Sequence, residues 1–229
     1  MKAGASATDG SETVHQQVYL HEEQINKNST YLYMKRTFDL ICAICGVIVL
    51  LPVFIIVAII IKLEDPKGPV FFKQTRVGLN EKEFKMYKFR SMVSDAEEKL
   101  EALLSKNEVS GAMFKMKEDP RVTKIGRIIR KTSIDELPQL WNVVKGDMSL
   151  VGPRPPLPRE VAEYTLYQKQ RLLVTPGCTG LWQATVRNSV GFEEMVELDL
   201  EYIKKRNLIF DIKIIFMTVQ LLFKKNEAY

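Results

Sequence analysis

Hydrophobic residues form one long uninterrupted block near the start of this chain, and elsewhere they alternate with polar residues at helix or strand spacing. The block runs from Leu40 to Ile61 and holds 22 uncharged residues. A helix of that length extends about 33 Å, enough to cross the core of a bilayer. Pro52 lies near its middle, where it removes a backbone hydrogen-bond donor and bends the helix. Two interpretations are therefore open: one transmembrane helix, or a helix broken at Pro52 with both ends on the same face of the membrane.

The charges around this block favour the second interpretation. Lys35 and Arg36 precede the block, and Lys62 and Lys67 follow it. In a transmembrane helix one of these pairs would lie on the outer face, against the tendency of basic residues to stay in the cytoplasm. Because positions 62 to 90 hold eight Lys or Arg residues, the part of the chain that follows the block is predicted to lie in the cytosol.

The positions after the block predict a small antiparallel hairpin and several helices. Gly68 to Arg76 and Phe84 to Arg90 have the composition of strands, and Gly78 to Asn80 forms the turn between them. Apolar residues at helical spacing predict further helices, in the segments 95–106, 159–174, 193–207 and 209–225. The last of these is rich in apolar residues but is interrupted by charges. It is predicted to lie on or just within the membrane interface, with a core helix as the alternative.

These elements divide the chain into three parts and predict an α+β, mostly helical fold. Residues 1–30 are polar, lack the apolar core of a cleavable signal peptide and are predicted to form a mobile tail. Residues 31–62 form the membrane helix, with its break near Pro52. Residues 63–229 form a cytosolic catalytic domain with interfacial helices.

Composition narrows the range of partners. The formal net charge of +5 and the pI of about 9.0 are a modest excess, which suits anionic lipid headgroups and nucleotide phosphates. The sequence holds no aromatic–basic interleaving and no zinc-finger spacing, so no nucleic-acid partner is predicted. Three cysteines do not make a disulfide framework, and Cys42 and Cys45 are predicted to pack as apolar residues inside the block.

Asp135 and Glu136 are the candidate reactive residues. They stand side by side after several basic residues, and Arg154 follows between two prolines that restrict its backbone. A carboxylate can act as a nucleophile, and arginines suit phosphate oxygens. Thr132 or Ser133 would cap a helix that begins at Asp135, so an ordinary capped helix start is the alternative. For Arg154 the alternative is a solvated side chain on a rigid connector.

Short motifs carry more specific information because they follow one another in a fixed order. They are Phe72-Lys73-Gln74-x-Arg76-x-Gly78, Lys88-Phe89-Arg90-Ser91-Met92, Ser133-Ile134-Asp135-Glu136-Leu137-Pro138-Gln139, Lys145-Gly146-Asp147-Met148-Ser149-Leu150-Val151-Gly152-Pro153-Arg154-Pro155 and Pro176-Gly177-x-Thr179-Gly180-Leu181-Trp182-Gln183. The chain thereby resembles the bacterial sugar transferases, the monotopic polyprenyl-phosphate phosphoglycosyl transferases. The resemblance runs from about Lys35 to Tyr229, and the length is that of the family's minimal catalytic form.

This resemblance implies a fold, an activity and a location. The fold would be a membrane-associated monotopic domain with a re-entrant helix-break-helix, a small β-hairpin and interfacial amphipathic helices. The activity would move a sugar-1-phosphate from a UDP-sugar to undecaprenyl phosphate and release UMP, the first membrane step of capsule, exopolysaccharide, O-antigen or glycoprotein glycan assembly. The location would be the bacterial inner membrane, with the catalytic domain on the cytosolic face. Anionic membrane lipids would be partners, and a homodimer and downstream glycosyltransferases are further candidates.

The resemblance also implies roles for individual residues. Asp135 would attack the sugar-proximal phosphorus to form a covalent phosphosugar intermediate, and it would contact the required Mg²⁺. Glu136 would hold the metal site or assist proton transfer, and Pro52 would mark the membrane break. The expected phosphate contacts come from the cations Lys88, Arg90, Arg130, Arg154 and Arg187.

Two positions depart from the family pattern. Leu51 stands where many relatives have serine before Pro52, and Val186 stands where many have glycine before Arg187. These departures concern the break in the membrane helix and the role of Arg187. Two other functions stay open on the sequence: a non-catalytic membrane scaffold, and a lipid-phosphate hydrolase that uses the same carboxylate.

Overall fold

The chain folds into helices arranged around two small sheets, as the predicted α+β, mostly helical class requires. The computed structural model describes residues 19–20, 25–96, 98–99, 103, 116, 119–186 and 190–223. The helices in these ranges are α1 Ser29–Glu64, α2 Lys124–Lys131, α3 Gln139–Lys145, α4 Pro158–Ala162, α5 Leu166–Lys169, α6 Leu181–Thr185, α7 Phe192–Lys205 and α8 Leu208–Phe223. The strands are β1 Phe71–Val77, β2 Glu83–Phe89, β3 Ser149–Val151 and β4 Gly177–Thr179. Short 3₁₀ helices lie at Leu79–Glu81, Ile134–Glu136 and Gln170–Leu173.

Helix α1 packs against the rest of the protein along one face. The residues buried on that face are Lys35, Asp39, Ala43, Val57 and Ile61. The opposite face exposes large apolar side chains along its length, including Ile41, Ile48, Val49, Ile55, Ile56 and Ile59. By length and composition α1 could cross a membrane. An exposed apolar surface of this size needs an apolar partner, and a bilayer would provide one.

Pro52 does not end α1. The helix continues without interruption from Ser29 to Glu64, so the predicted helix break at Pro52 is wrong as a helix end. A proline removes a single backbone donor, and the neighbouring hydrogen bonds can carry the helix past it. Asn28 caps the start of α1 by accepting a hydrogen bond from the backbone N of Thr30 at 2.9 Å. That both ends of α1 lie on one face of a membrane stays a prediction.

Both halves of α1 are fastened to the same body. Near its start, Arg36 donates hydrogen bonds to the carbonyl oxygens of Val143 and Val144 at 2.6 and 2.9 Å, where α3 ends. At its end, Glu64 accepts a hydrogen bond from the backbone N of Lys124 at 2.9 Å, where α2 begins. Because helix ends leave such groups without partners, α1 completes the backbone hydrogen bonding of two other helices.

The segment before α1 is packed as well. Ile25 is 5% exposed and belongs to the largest apolar cluster. The Tyr19 ring meets the Tyr167 ring edge to face, with 5.5 Å between centroids. The predicted mobile tail up to residue 30 thus includes two residues, Tyr19 and Ile25, that the structure packs against the rest of the protein. The mobility of the tail itself stays a prediction. Residues 1–18 and 21–24 of that tail lie outside the described residues.

The two sheets place the connecting segments that surround the candidate site. The hairpin forms as predicted, with β1 antiparallel to β2 and Phe71 opposite Phe89. A second, parallel pair joins β3 to β4, with Ser149 opposite Gly177, and neither strand was predicted from the sequence. A side chain at Gly177 would meet the backbone N of Gly152 at 2.1 Å. This close approach sets the segment after β3 directly against β4.

Helices α7 and α8 confirm the predictions for the end of the chain. Val196, Leu200 and Ile203 are buried at the helical spacing of an amphipathic α7. Ile214 is fully buried on one face of α8, whereas Ile209 is 81% exposed on another. One face of α8 therefore packs in the core, as the alternative interpretation requires, and another face exposes apolar side chains. That this exposed face lies at the membrane interface stays a prediction.

Two predicted helices differ from the structure. The segment 159–174 forms α4, α5 and a 3₁₀ turn rather than one helix. Thr165 accepts a hydrogen bond from the backbone N of Gln168 at 3.3 Å and so begins α5 as a separate helix. Most of the predicted helix 95–106 lies outside the described residues.

Candidate active site

Asp135 and Glu136 lie in the 3₁₀ turn between α2 and α3. Ser133 adopts a left-handed backbone conformation with φ of 56°, which ends α2 and reverses the chain. The Ser133 side chain makes no capping bond, and the Thr132 hydroxyl donates back to the carbonyl of Ile128 at 2.9 Å. The predicted helix cap at these residues is therefore wrong. Tertiary packing positions the two acids, and an ordinary capped helix start does not explain them.

An open cavity lies beside this turn. It is lined by Arg76, Met86, Lys88, Glu136, Gln139, Arg154, Pro155, Gly177, Cys178 and Gln183. Three cations and one carboxylate therefore share a single concave surface. A cavity with this charge pattern suits a ligand that carries several negative oxygens.

Lys88 and Glu136 form the closest ion pair in the cavity. Lys88 Nζ lies 2.6 Å from Glu136 Oε1, and the Glu136 side chain is 42% exposed. Burial opposes the charge of Glu136, but Lys88 and Arg154 outweigh it and hold the pKa of this carboxyl below its usual value. Glu136 is therefore an anion at neutral pH, and its charge keeps Lys88 in place in the cavity wall.

Asp135 has the opposite electrostatic environment. It is 7% exposed, and burial raises its pKa to about 6, although Lys88 and Arg130 act in the other direction. At neutral pH the carboxylate is thus charged but poorly solvated. A buried anion of this kind is more reactive towards an electrophile than a hydrated one, because less water must be displaced.

Arg154 is held in the cavity by a braced backbone. Arg76 Nη1 donates to the carbonyl oxygen of Pro155 at 3.0 Å, and the backbone N of Val77 donates to that of Pro156 at 2.9 Å. On the other side, the backbone N of Gly152 donates to the carbonyl oxygen of Thr179 in β4, and the backbone N of Gly177 in β4 donates to that of Pro153, each at 2.9 Å. Burial and the neighbouring Arg154 lower the pKa of Arg76 to about 10, so the Arg76 guanidinium stays charged at neutral pH.

The other predicted phosphate ligands fall into three groups. Arg130 lies close enough to lower the pKa of Asp135, which is consistent with its predicted position. Arg90 is absent from the cavity lining and donates instead to the carboxylate and the carbonyl oxygen of Asp65, so it fastens the end of α1. Arg187 lies outside the described residues.

Several cavity residues were not assigned a role from the sequence. Arg76, Gln139 and Gln183 belong to motifs that were recognised, but spacing alone does not say which motif residues face a common cavity. Cys178 also lines the cavity, and burial raises the pKa of its thiol, so it is not a thiolate nucleophile at neutral pH.

The acidic pair fits a magnesium ion that is held largely by a substrate. Asp135 and Glu136 are consecutive residues whose charges influence each other, and the charge of Asp135 is incompletely compensated by the protein. Within the part of the chain that the structure describes, no three His, Cys, Asp or Glu side chains come together as a complete metal site. Mg²⁺ commonly binds through one or two carboxylates together with waters and substrate phosphates, so this donor set is sufficient.

Comparison with known proteins gives a consistent pattern. The family model described as "Bacterial sugar transferase" matches residues 30–225. The chain is 47% identical over 195 residues to the galactosyl transferase CpsE of Streptococcus agalactiae serotype III, covering 84% of this chain and 42% of that protein. It is 44% identical over 201 residues to the undecaprenyl-phosphate galactose phosphotransferase of Salmonella typhimurium, covering 86% of this chain and 42% of that protein. It is 37% identical over 199 residues to the exopolysaccharide production protein ExoY of Rhizobium meliloti, covering 85% and 88%. The chain thus spans less than half the length of the first two relatives and most of the third.

Proposed function

We propose, from the premise that this chain belongs to the bacterial sugar transferase family, that it moves a sugar-1-phosphate from a UDP-sugar to undecaprenyl phosphate and releases UMP. The names of two relatives support the two substrates: one is a UDP-galactose-lipid carrier transferase, and another is an undecaprenyl-phosphate galactose phosphotransferase. The step would begin the membrane stage of polysaccharide or glycoconjugate assembly.

The observation that carries the proposal is the buried Asp135 carboxylate beside a cavity with cationic walls. In the first step, an Asp135 oxygen attacks the β-phosphorus of the donor. The bond from that phosphorus to the bridging oxygen breaks, and UMP leaves with both electrons. In the second step, an oxygen of undecaprenyl phosphate attacks the same phosphorus, and the Asp135 carboxylate is released. Each step forms one P–O bond and breaks another, so the enzyme returns to its starting state.

The surrounding charges have separate tasks in this mechanism. Arg154 and Arg130 offset the negative oxygens that would repel an anionic nucleophile. Lys88 contributes charge in the same way and is oriented by Glu136 at 2.6 Å. Asp135 and Glu136 would hold a Mg²⁺ ion, which neutralises charge on the donor diphosphate when it is bound.

A location at the cytosolic face of the bacterial inner membrane follows from the substrates and from α1. The acceptor is a lipid whose phosphate lies at headgroup level, so the cavity must lie there too. Both ends of α1 contact one body, through Arg36 and through Glu64. This arrangement supports both ends of α1 lying on one face of the membrane, because a spanning helix would carry one end to the far side of the bilayer.

Product analysis tests the proposal directly. Purified protein in detergent is incubated with Mg²⁺, undecaprenyl phosphate and UDP-galactose labelled at the β-phosphorus. We expect UMP and labelled lipid in equal amounts, and label on the protein when the acceptor is left out. Asp135→Asn should abolish all three, whereas Asp95→Asn, which changes an exposed aspartate paired with Lys99, should abolish none.

Three other results would contradict the proposal in different ways. Free sugar phosphate without labelled lipid would indicate a hydrolase. Absence of UMP with every UDP-sugar tested would indicate a scaffold. Labelled lipid without any protein-bound label, in reactions quenched before one turnover, would exclude the covalent intermediate on Asp135.

A further inference from the structure

The wall of the cavity has a charged part and a neutral polar part. Arg76, Lys88, Glu136 and Arg154 form the charged part. The neutral part consists of the side-chain amides of Gln139 and Gln183. Charged residues account for the binding of a diphosphate, but they leave these two amides without a function.

Both amides lack hydrogen-bond partners. Gln139 is 4% exposed, and its side chain makes no hydrogen bond to any residue that the structure describes. The Oε1 atom of Gln183 is buried and is likewise without a partner among the described residues. Buried polar groups in native proteins are nearly always hydrogen-bonded, and an unpaired one lowers stability. Gln183 Oε1 is such a group, and the amide of Gln139 lies in the same cavity wall without a partner among the described residues, so the wall points to a ligand that pairs with them.

The local backbone supports this arrangement. Leu137 and Pro138 have α-helical backbone angles, so the chain passes from the 3₁₀ turn of Asp135 into α3 without a break. Gln139 comes four residues after Asp135, and side chains at this spacing lie on the same side of a helix. At Gly180, a side chain would meet Gln183 Oε1 at 2.6 Å, so the glycine leaves room for that amide.

The position of Gln139 beside Asp135 indicates which part of the donor it meets. In an in-line displacement the leaving group departs on the side of the phosphorus opposite the nucleophile. The nucleotide is therefore directed away from Asp135. The sugar oxygen stays on the phosphorus, next to the attacking carboxylate and within the reach of a neighbouring side chain.

We infer that Gln139 and Gln183 bind the sugar of the donor, through hydrogen bonds between their amides and the sugar's hydroxyl or acylamino groups. An amide both donates and accepts, as a hydroxyl does, and it brings no charge to a neutral ring. This inference rests on the proposed function, because it presupposes a UDP-sugar donor and attack by Asp135.

The test compares two ligands that differ only in the sugar. Binding of UDP-galactose and of UDP is measured by calorimetry on the Asp135→Asn protein, which does not consume the donor. If the parent prefers another UDP-sugar, that sugar replaces galactose. Gln139→Leu and Gln183→Leu should each weaken UDP-sugar binding about tenfold, as expected for the loss of one or two hydrogen bonds. Binding of UDP should change less than twofold, because UDP retains both phosphates and the nucleoside.

Gln170→Leu is the matched control. Gln170 is also buried, but its amide is already paired with the backbone of Leu20 and Tyr167, at 2.5 and 3.0 Å. This substitution should lower the melting temperature and leave both affinities unchanged. Gln139→Leu should do the reverse, keeping or raising the melting temperature while weakening UDP-sugar binding, because it removes an unpaired amide.

Two outcomes would overturn the inference. Equal weakening of UDP and UDP-sugar would assign the amides to the nucleotide or the phosphates. Unchanged binding in both glutamine variants would deny them any contact with the donor. If the parent protein binds neither UDP nor any UDP-sugar, the proposed function itself fails, and that result is separate from both of these.

Discussion

Lys35 of α1 donates a hydrogen bond to the carboxylate of Asp211 on α8, with 2.6 Å between Nζ and Oδ2, and both side chains are buried. The Tyr202 hydroxyl lies 2.8 Å from the other oxygen of Asp211 and 3.0 Å from the carbonyl oxygen of Val151. One polar cluster therefore joins the long apolar helix to α7, α8 and β3. Since β3 leads directly to Arg154, this cluster also supports the cavity.

Loss of the Lys35 ammonium should destabilise the whole protein. Lys35→Met leaves the Asp211 carboxylate buried without its cation, and removing one partner of a buried pair costs about 3–5 kcal/mol. The free energy of unfolding in detergent, measured by denaturant titration, checks this value. Lys213→Met changes an exposed lysine on the same α8 and should alter stability by less than about 0.5 kcal/mol. Similar effects of the two substitutions would contradict the assigned role of Lys35.

Arg76 should act on the donor through Arg154. Its guanidinium bonds Gln74 through Nε and Nη2 and the carbonyl oxygen of Pro155 through Nη1, a planar fork that a lysine ammonium does not reproduce. Arg76→Lys is expected to lower kcat/KM about tenfold in the parent and much less in an Arg154→Lys background, because the two residues form one unit. Steady-state UMP release measures both effects.

Arg206→Lys is the control for this cycle. Arg206 is a buried arginine that donates to the carbonyl oxygen of Asn26, and it is absent from the cavity lining. Its substitution should lower stability without changing kcat/KM. If the effects of Arg76→Lys and Arg154→Lys simply multiply, Arg76 acts independently of Arg154.

The buried Asp135 should make the protein less stable at neutral pH than it could be. Its folded pKa of about 6 exceeds the ordinary value of 3.8, so the folded state binds the proton more tightly than the unfolded state. The destabilisation is absent below pH 3.8 and complete above pH 6, where it amounts to about 3 kcal/mol. Asp135→Asn should therefore raise the free energy of unfolding at pH 8 by up to that amount, and by almost nothing at pH 4. Denaturant titration in metal-free buffer checks this, and a less stable Asp135→Asn at pH 8 would oppose it.

The same pKa predicts how turnover depends on pH. The nucleophile must be ionised, so kcat/KM should fall about tenfold per pH unit below pH 6. Glu136→Gln removes a nearby negative charge that raises the pKa of Asp135, so the midpoint of the profile should move to lower pH. A flat profile between pH 5 and 8 would place the controlling ionisation elsewhere.

Cysteine labelling should find both ends of α1 on the cytosolic side. Thr30→Cys and Lys67→Cys place thiols just inside the start and just beyond the end of this helix, in protein whose own cysteines are replaced by serine. A membrane-impermeant maleimide should label both positions in inverted vesicles and neither in intact spheroplasts. Labelling of one position from outside would establish a spanning helix.

The sequence predicted those features whose signal is local. The hairpin has alternating strand residues around a turn, and α7 has a helical apolar period, so each could be assigned from its own residues. Asp135, Lys88 and Arg154 came from motifs, and the structure brings Lys88 and Arg154 together with Glu136 around one cavity.

The features that the sequence did not predict depend on distant partners. β3 and β4 are strands of three residues each, too short for a periodic signal, and they pair across the intervening helices. Arg90 resembled a phosphate ligand until its partner, Asp65, was known. Ile25 lies in a polar segment, and only the apolar cluster that it enters explains its burial.

The anchoring of α1 at both ends has a mechanical consequence. The exposed apolar face of α1 and the cavity belong to one packed body. In the proposed membrane-bound arrangement, the immersion depth of the reacting phosphorus would therefore be fixed by the protein and not by the thickness of the host bilayer. Shorter or longer acyl chains would then shift or tilt the whole protein as a rigid body, and the geometry around Asp135 would stay constant.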